Sequence, residues 1–118
     1  MLCQEELSEY IEKEMPELSG MERSDKPQSA YDIVRHMLKY TKSQVIQHNL
    51  NAAKKCMNLA EKLYYKGNNA IKNAIENVFV YSFSHAFFHD ENKKKEVIGI
   101  IPESLYRLYK RQVINSHL

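Results

Sequence analysis

Glycine and proline are scarce in this chain, three of each in 118 residues. A sandwich or barrel of short strands needs a turn about every 8–12 residues, usually marked by Gly, Pro or Asn. So few punctuating residues exclude that architecture and leave few, long elements, hence helices. Cysteine is equally sparse. Cys3 and Cys56 form no CxxC pair, and two thiols make no disulfide framework. Nothing beside either one is built to lower its pKa, so both read as reduced, unreactive thiols. No apolar run approaches the ~18 residues that a spanning helix needs. The opening Met1-Leu2-Cys3-Gln4-Glu5-Glu6 lacks the basic and then apolar stretches of a secretory leader. The expectation is a soluble, cytoplasmic protein with no membrane partner.

Recognisable chemistry is missing as well. There is no GxSxG, no Gly-rich phosphate loop and no pair of carboxylates in an apolar setting. No catalytic residue and no cofactor is assigned, and an enzyme is not expected.

What is present is a 43% apolar composition, enough for one core, and an uneven charge. Residues 1–25 hold eight acids against two bases, and the remaining 93 residues hold fifteen bases against seven acids. The acidic start is expected to fold back onto the basic remainder, or onto a neighbouring subunit. The chain divides into an acidic N-terminal helix and loop over 1–25 and a helical core over 28–116, together one domain.

Apolar periodicity supplies the elements. Leu7, Tyr10, Ile11 and Met15 lie on one face of a helix from Glu5 to Glu14, which Pro16 ends. Leu18 to Pro27 reads as a loop punctuated by Gly20 and Pro27. Ser29, with Asp32 three residues on, caps a second helix whose stripe is Tyr31, Val34, Met37/Leu38, Thr41 and Val45. A third helix, Asn51 to Lys66, turns Leu50, Ala53, Cys56/Met57, Ala60 and Leu63/Tyr64 inward. Gly67 is placed as the left-handed residue past its end, and Asn68 or Asn69 as the cap of the next helix. So short a link makes the two helices antiparallel neighbours.

The fourth helix, Ala70 to Phe88, is apolar nearly all round in its second half, so it should be central. Its inward positions read Ile71, Ala74/Ile75, Val78/Phe79, Ser82/Phe83 and Ala86/Phe87. "HDENKKK" reads as a polar turn and "EVIGII" as a short helix or extended link. Pro102 opens a last helix with Leu105, Leu108/Tyr109 and Gln112 inward, fraying after Val113. The fold class is all-α: an antiparallel helical bundle or α-α hairpin stack of five to six helices.

Within that fourth helix, His85 and His89 stand at i, i+4, the spacing two imidazoles need to share a metal ion, and Asp90 and Glu91 are available oxygen donors. The Glu of HExxH is missing and no second cluster exists. The plainer reading makes both histidines boundary residues beside Tyr81, with a pH-responsive contact as a further alternative. Phe88 points away from the main stripe; exposed beside Tyr81, it would join a dimer or partner surface. Lysine stripes are also visible: Lys55, Lys62 and Lys66 on helix three, Arg35, Lys39 and Lys42 on helix two, and Arg107, Lys110 and Arg111 near the end. Merged into one face they would contact nucleic-acid phosphates, but no stacking aromatics accompany them and the acidic start competes for the same charge.

"AAKKCMNLAEKLYYKGNNAIKNAIENVFVYS" is similar to a tetratricopeptide hairpin as far as Ala60, Leu63 and Gly67, but Ala74 comes two positions late and no 34-residue period recurs. Residues 59–87, joined with "IIPESLYRLYKRQ", resemble a family of small, uncharacterised all-helical bacterial proteins, a domain of unknown function. The shared features are the Lys-Gly-Asn turn, "IENVFV", and Pro102, Leu105 and Tyr109 near the end. The resemblance implies a helical fold and supplies no activity. Some proteins of similar build serve as immunity partners of bacterial toxins. The functional expectation is therefore a non-enzymatic module that binds another protein or its own copy, of antitoxin or immunity type, through Glu5, Glu9 and Glu12 of helix one and through Tyr81 and Phe88. Nucleic-acid binding by the lysine stripes and a metal or small-ligand site at His85/His89 are the alternatives.

Overall fold

The computed structural model describes residues 1–18 and 29–116. Among them lie six helices: α1 (Gln4–Glu14), α2 (Ala30–Ile46), α3 (Leu50–Lys66), α4 (residues 69–87), α5 (Glu91–Ile98) and α6 (Glu103–Ser116), with a 3₁₀ turn at Pro16–Leu18. The fold is all-α. One isolated parallel bridge pairs Leu2 with Gly67. The loop expected up to Pro27, with Gly20 and Pro27 in it, lies outside the described residues except for Leu18.

The helix starts follow capping chemistry. Ser29 Oγ accepts from the Asp32 N–H, so that cap is where the sequence puts it. Asn68 Oδ1 accepts from the Ile71 N–H and opens α4. Asp90 Oδ1 accepts from Asn92 N–H at 2.8 Å and from Lys93 N–H. That last cap starts α5 inside "HDENKKK", so the stretch is a cap and a helix and not the polar turn expected from its composition. Only Val97 of α5 is buried, and one buried position leaves no periodicity to read. The last helix also outruns its expected fraying point at Val113, continuing to Ser116.

A single hydrophobic cluster unites the elements, drawing Leu7, Ile11 and Met15 from α1 and its end together with residues of every other helix. On α2 the inward stripe is Ala30, Ile33/Val34, Met37/Leu38, Thr41 and Val45. Tyr31, expected in that stripe, stands 40% exposed because Ala30 and Ile33 occupy the inner positions on either side of it. Among the described residues Thr41 is the buried polar one; its hydroxyl donates to the Met37 carbonyl (2.8 Å), so it enters without an unpaired group.

Helix α4 is the hub: α2, α3, α5 and α6 all pack on it. Its middle, Ile75–Val80, is a π-helical turn between α-helical stretches Asn69–Ala74 and Tyr81–Phe87. That turn decides which residues face inward. In an α-helix each step of four overshoots a full revolution by about 40°, so a long i, i+4 series drifts off the core. A wide π turn lags instead, and returns the series to the core. The buried set is Ile71, Ala74, Ile75, Phe79, Val80, Phe83 and Phe87. Val78 and Ser82 are only half-buried and Ala86 is exposed, so of each expected pair it is the aromatic that packs. Phe79 stacks parallel to Phe83 at 6.5 Å, and Phe83 meets Phe87 at 4.8 Å.

Between α3 and α4, Gly67 is not left-handed. Its φ of −76° and ψ of 156° are extended and open to any residue. Glycine is needed there for space: a Cβ would press on the Ile71 side chain and come 2.6 Å from the Leu63 carbonyl oxygen. The N-terminus runs alongside, with Leu2 N–H donating to Lys66 O (2.7 Å) and Asn68 N–H to Leu2 O (2.8 Å). Among the described residues the left-handed one is His48, at φ 60°, in the α2–α3 turn.

Candidate functional site

Helix α1 sorts its acids by side. Leu7 and Ile11 face the core. Glu14 pairs with Lys62 (3.4 Å) and Glu17 with Lys55 (3.3 Å). Lys66, the third lysine of that stripe, lies over the Tyr10 ring at 5.7 Å. The acidic start thus folds back on the basic remainder, and the α3 lysines that were candidates for phosphate contact face carboxylates and a ring of the same chain. Elsewhere Arg35 pairs with Asp32, Arg107 with Glu103 and Arg111 with Glu76. Lys110 lies over the Tyr106 ring at 4.8 Å.

The other four acids of α1, Glu5, Glu6, Glu9 and Glu12, are all exposed, and Glu5, Glu9 and Glu12 follow i, i+4, i+7. They form the outward face of α1. Glu5 sits in the first turn, where the hydrogen bond from its own backbone N–H, followed by one from the Cys3 side chain, holds its carboxyl below the usual carboxylate range. Its negative charge is therefore secure near neutrality.

The aromatic residues separate into two roles. Tyr81 is 57% exposed. Phe88, expected to be exposed with it, is half-buried: Tyr109 of α6 abuts its ring edge-to-face at 4.5 Å, Phe83 lies at 6.4 Å, and Lys94 Nζ stands over it. The residue ends α4 with φ −94° and ψ −1°, still right-handed helical, and its ring is covered because Tyr109 of α6 packs on that side. Phe88 belongs to the packing and forms the floor of a groove of about 250 Å³ between α4 and α6, with Tyr81, His85 and His89 along the α4 side and Tyr109, Gln112 and Val113 along α6.

Gln112 joins these helices. Its amide Nε2 donates to the Glu76 carbonyl in the π turn (2.7 Å), while Arg111 reaches the Glu76 carboxylate (3.2 Å). The Tyr81 N–H turns to Val78 O. A π turn loosens the regular ladder and lets an outside donor reach a main-chain carbonyl. The amide oxygen of Gln112 is buried with no partner, as is the Tyr10 hydroxyl. Gln112 lies inward on the helical wheel, but spacing carries no signal for a contact across 36 residues.

His85 and His89 are both exposed. The His85 ring lies nearly parallel to Tyr81 (6°, centroids 6.2 Å) and perpendicular to His89 (89°, 5.0 Å). His89 Nε2 and His85 Nδ1 face each other at 3.5 Å. Asp90, considered as an oxygen donor beside them, is committed to capping α5. Among the described residues no group of three or more His, Cys, Asp or Glu is placed to hold a metal ion. The remaining nucleophile candidates are quiet. Burial pushes the Cys56 thiol up to about 11, and Cys3 is raised by hydrogen bonds to Glu6 and Glu5. No described helix is long and apolar enough to cross a membrane.

No curated protein and no solved structure matches this chain. A family model does match, over residues 8–115, from the second turn of α1 to the last turn of α6. The chain therefore belongs to the family described as Domain of unknown function (DUF7674).

Proposed function

We propose that this chain is a non-enzymatic helical module that docks on a basic surface of another protein through the outward face of α1. The observation that carries this reading is the exposed acidic face of α1, where Glu5, Glu9 and Glu12 stand in line with Glu6 beside them. Such a face steers a partner of opposite charge and fixes its orientation, with most of the effect on the rate of association. An antitoxin or immunity role is the finer form of this proposal: a small stable frame with an acidic face suits a partner whose working surface is basic, as a nucleic-acid-cleaving toxin's would be.

Nucleic-acid binding is the less favoured reading. A phosphate-binding face needs cations free to replace counterions. Lys55, Lys62 and Lys66 of the α3 stripe are instead engaged by Glu17, Glu14 and Tyr10.

The test compares the wild-type chain with a Glu5→Lys/Glu9→Lys/Glu12→Lys variant in affinity capture with quantitative mass spectrometry. A Glu91→Lys variant, altered at an exposed acid of α5, serves as the control. A basic protein held by the wild type and the control, released by salt and missing from the α1 variant, supports the reading. Equal recovery by all three rejects it.

A further inference from the structure

We propose that His85 and His89 form a two-imidazole binding site for a borderline divalent transition-metal ion of the zinc class, open to the groove between α4 and α6. Three observations support it. The first is the approach of the donor atoms. A metal bound to two imidazoles at about 2.0–2.1 Å, with a tetrahedral angle between them, holds its two nitrogens about 3.3–3.4 Å apart. His89 Nε2 and His85 Nδ1 already stand 3.5 Å apart, so in the tautomers that leave both of these nitrogens unprotonated the two rings offer lone pairs at nearly that separation. Spacing at i, i+4 provides only the shared face; this nitrogen separation is what the folded chain adds.

The second observation is orientation. A ligand ring binds well when something other than the metal fixes its plane. Here the Tyr81 ring lies within 6° of parallel to His85, and the His89 ring stands at 89° to it. The two imidazoles thus cross and do not stack. The third is access. Both histidines are exposed, and they line a groove of about 250 Å³ that leaves room for the water molecules completing the ion's shell.

The ligand type narrows the ion. Neutral imidazole suits zinc, copper and nickel, whereas calcium and magnesium require oxygen donors. Asp90, next to His89, already accepts the α5 cap bonds through Oδ1. Two protein ligands with the remaining positions open make a labile site, unlike the closed four-ligand sites that hold folds together. Occupancy would place a positive charge on the α4 side of the groove, remote in kind from the acidic docking face of α1 and independent of it.

The experiment is calorimetric titration of the purified, metal-stripped full chain with zinc chloride, followed by the His85→Ala, His89→Ala and double variants. Both side chains are exposed, so the substitutions leave the core untouched. One equivalent of zinc per chain is expected. Each single variant should weaken binding by at least the about tenfold that loss of an outer metal partner costs, the double variant should abolish it, and His48→Ala, in the α2–α3 turn, should leave it unchanged. In the wild-type chain, zinc should shift the ring resonances of His85 and His89 and leave those of His36 and His48 in place. Failure of the wild type to take up zinc, or undiminished binding by the double variant, overturns the proposal. Ring shifts centred on other histidines overturn it equally.

Discussion

Replacing Gly67 separates two reasons for a glycine at the end of a helix. The residue has φ −76° and ψ 156°, a conformation that alanine adopts without strain. Backbone entropy alone would then make Gly67→Ala stabilising by about 0.4–1 kcal/mol, through the unfolded chain. Space acts in the opposite direction. The new Cβ meets the Ile71 side chain, itself fully buried, and lies 2.6 Å from the Leu63 carbonyl oxygen, which is main chain and cannot turn away. Overpacking of this kind costs about 1–3 kcal/mol, so the net expectation is a loss of about 1–2 kcal/mol. For a domain of this size that is roughly 4–10 °C in Tm. Shifting residue 67 also strains the bonds of Leu2 to Lys66 and Asn68 on either side of it, so the Asn68 amide should lose hydrogen-exchange protection along with the fall in Tm. Gly67→Asn is the decisive companion. A left-handed site tolerates asparagine better than alanine, whereas a crowded extended site tolerates it no better. Equilibrium urea unfolding of both variants reads the difference. Gly67→Ala at or above wild-type stability, or Gly67→Asn clearly better than Gly67→Ala, would refute the reasoning.

Three further expectations follow from the same geometry. Asn68→Ala removes the side-chain acceptor of the Ile71 N–H at the start of the hub helix and should cost about 1 kcal/mol in urea unfolding. Gln112→Leu deprives the Glu76 carbonyl of its donor but also removes a buried unpaired amide oxygen; the two effects are each about 1–3 kcal/mol and opposed, so stability should change little, while exchange at the 75–81 amides should accelerate as the π turn loses its tie to α6. Burial raises Cys56 from 9.0 to about 11, so the folded chain holds that proton more tightly than the unfolded one. The associated stability is complete below pH 9 and is lost as pH rises toward 11, by at most about 3 kcal/mol. Denaturation measured across that window should show a shallower fall for Cys56→Ala than for the wild type.

The sequence made the frame legible where local chemistry and periodicity agree. The Ser29 and Asn68 caps, the breaks at Pro16 and Pro102, and the inner face of α3 are all local signals. The departures arise where the decisive partner is far along the chain or where the helical period changes. The π turn lies in "IENVFV", where no residue type announces a wider turn, and it is this turn that selects Phe79, Phe83 and Phe87 over Val78, Ser82 and Ala86 as inward residues. Helix α5 escaped because its composition is polar and its one buried residue, Val97, shows no period; the cap at Asp90 was the available signal. Phe88 reads as exposed on the wheel because spacing carries no sign that Tyr109, 21 positions away, covers that side of α4. Glu5, Glu9 and Glu12 were readable as one face from spacing alone, but the engagement of Glu14 and Glu17 with Lys62 and Lys55 needed the third dimension. The approach of the His85 and His89 nitrogens likewise depends on the ring orientations, which spacing does not set.

The account holds that the aromatic run of α4 is structural and that recognition belongs to the surface. Native-state hydrogen exchange of the α4 backbone tests this most directly. Buried hub residues should open only when the whole chain unfolds. The amides of Phe79, Val80 and Phe83 should therefore exchange with the free energy measured for global unfolding, above those of α5. Exchange at these positions through a local opening of much lower free energy, with α5 still protected, would contradict it, because the rings would then belong to a mobile site and not to the core.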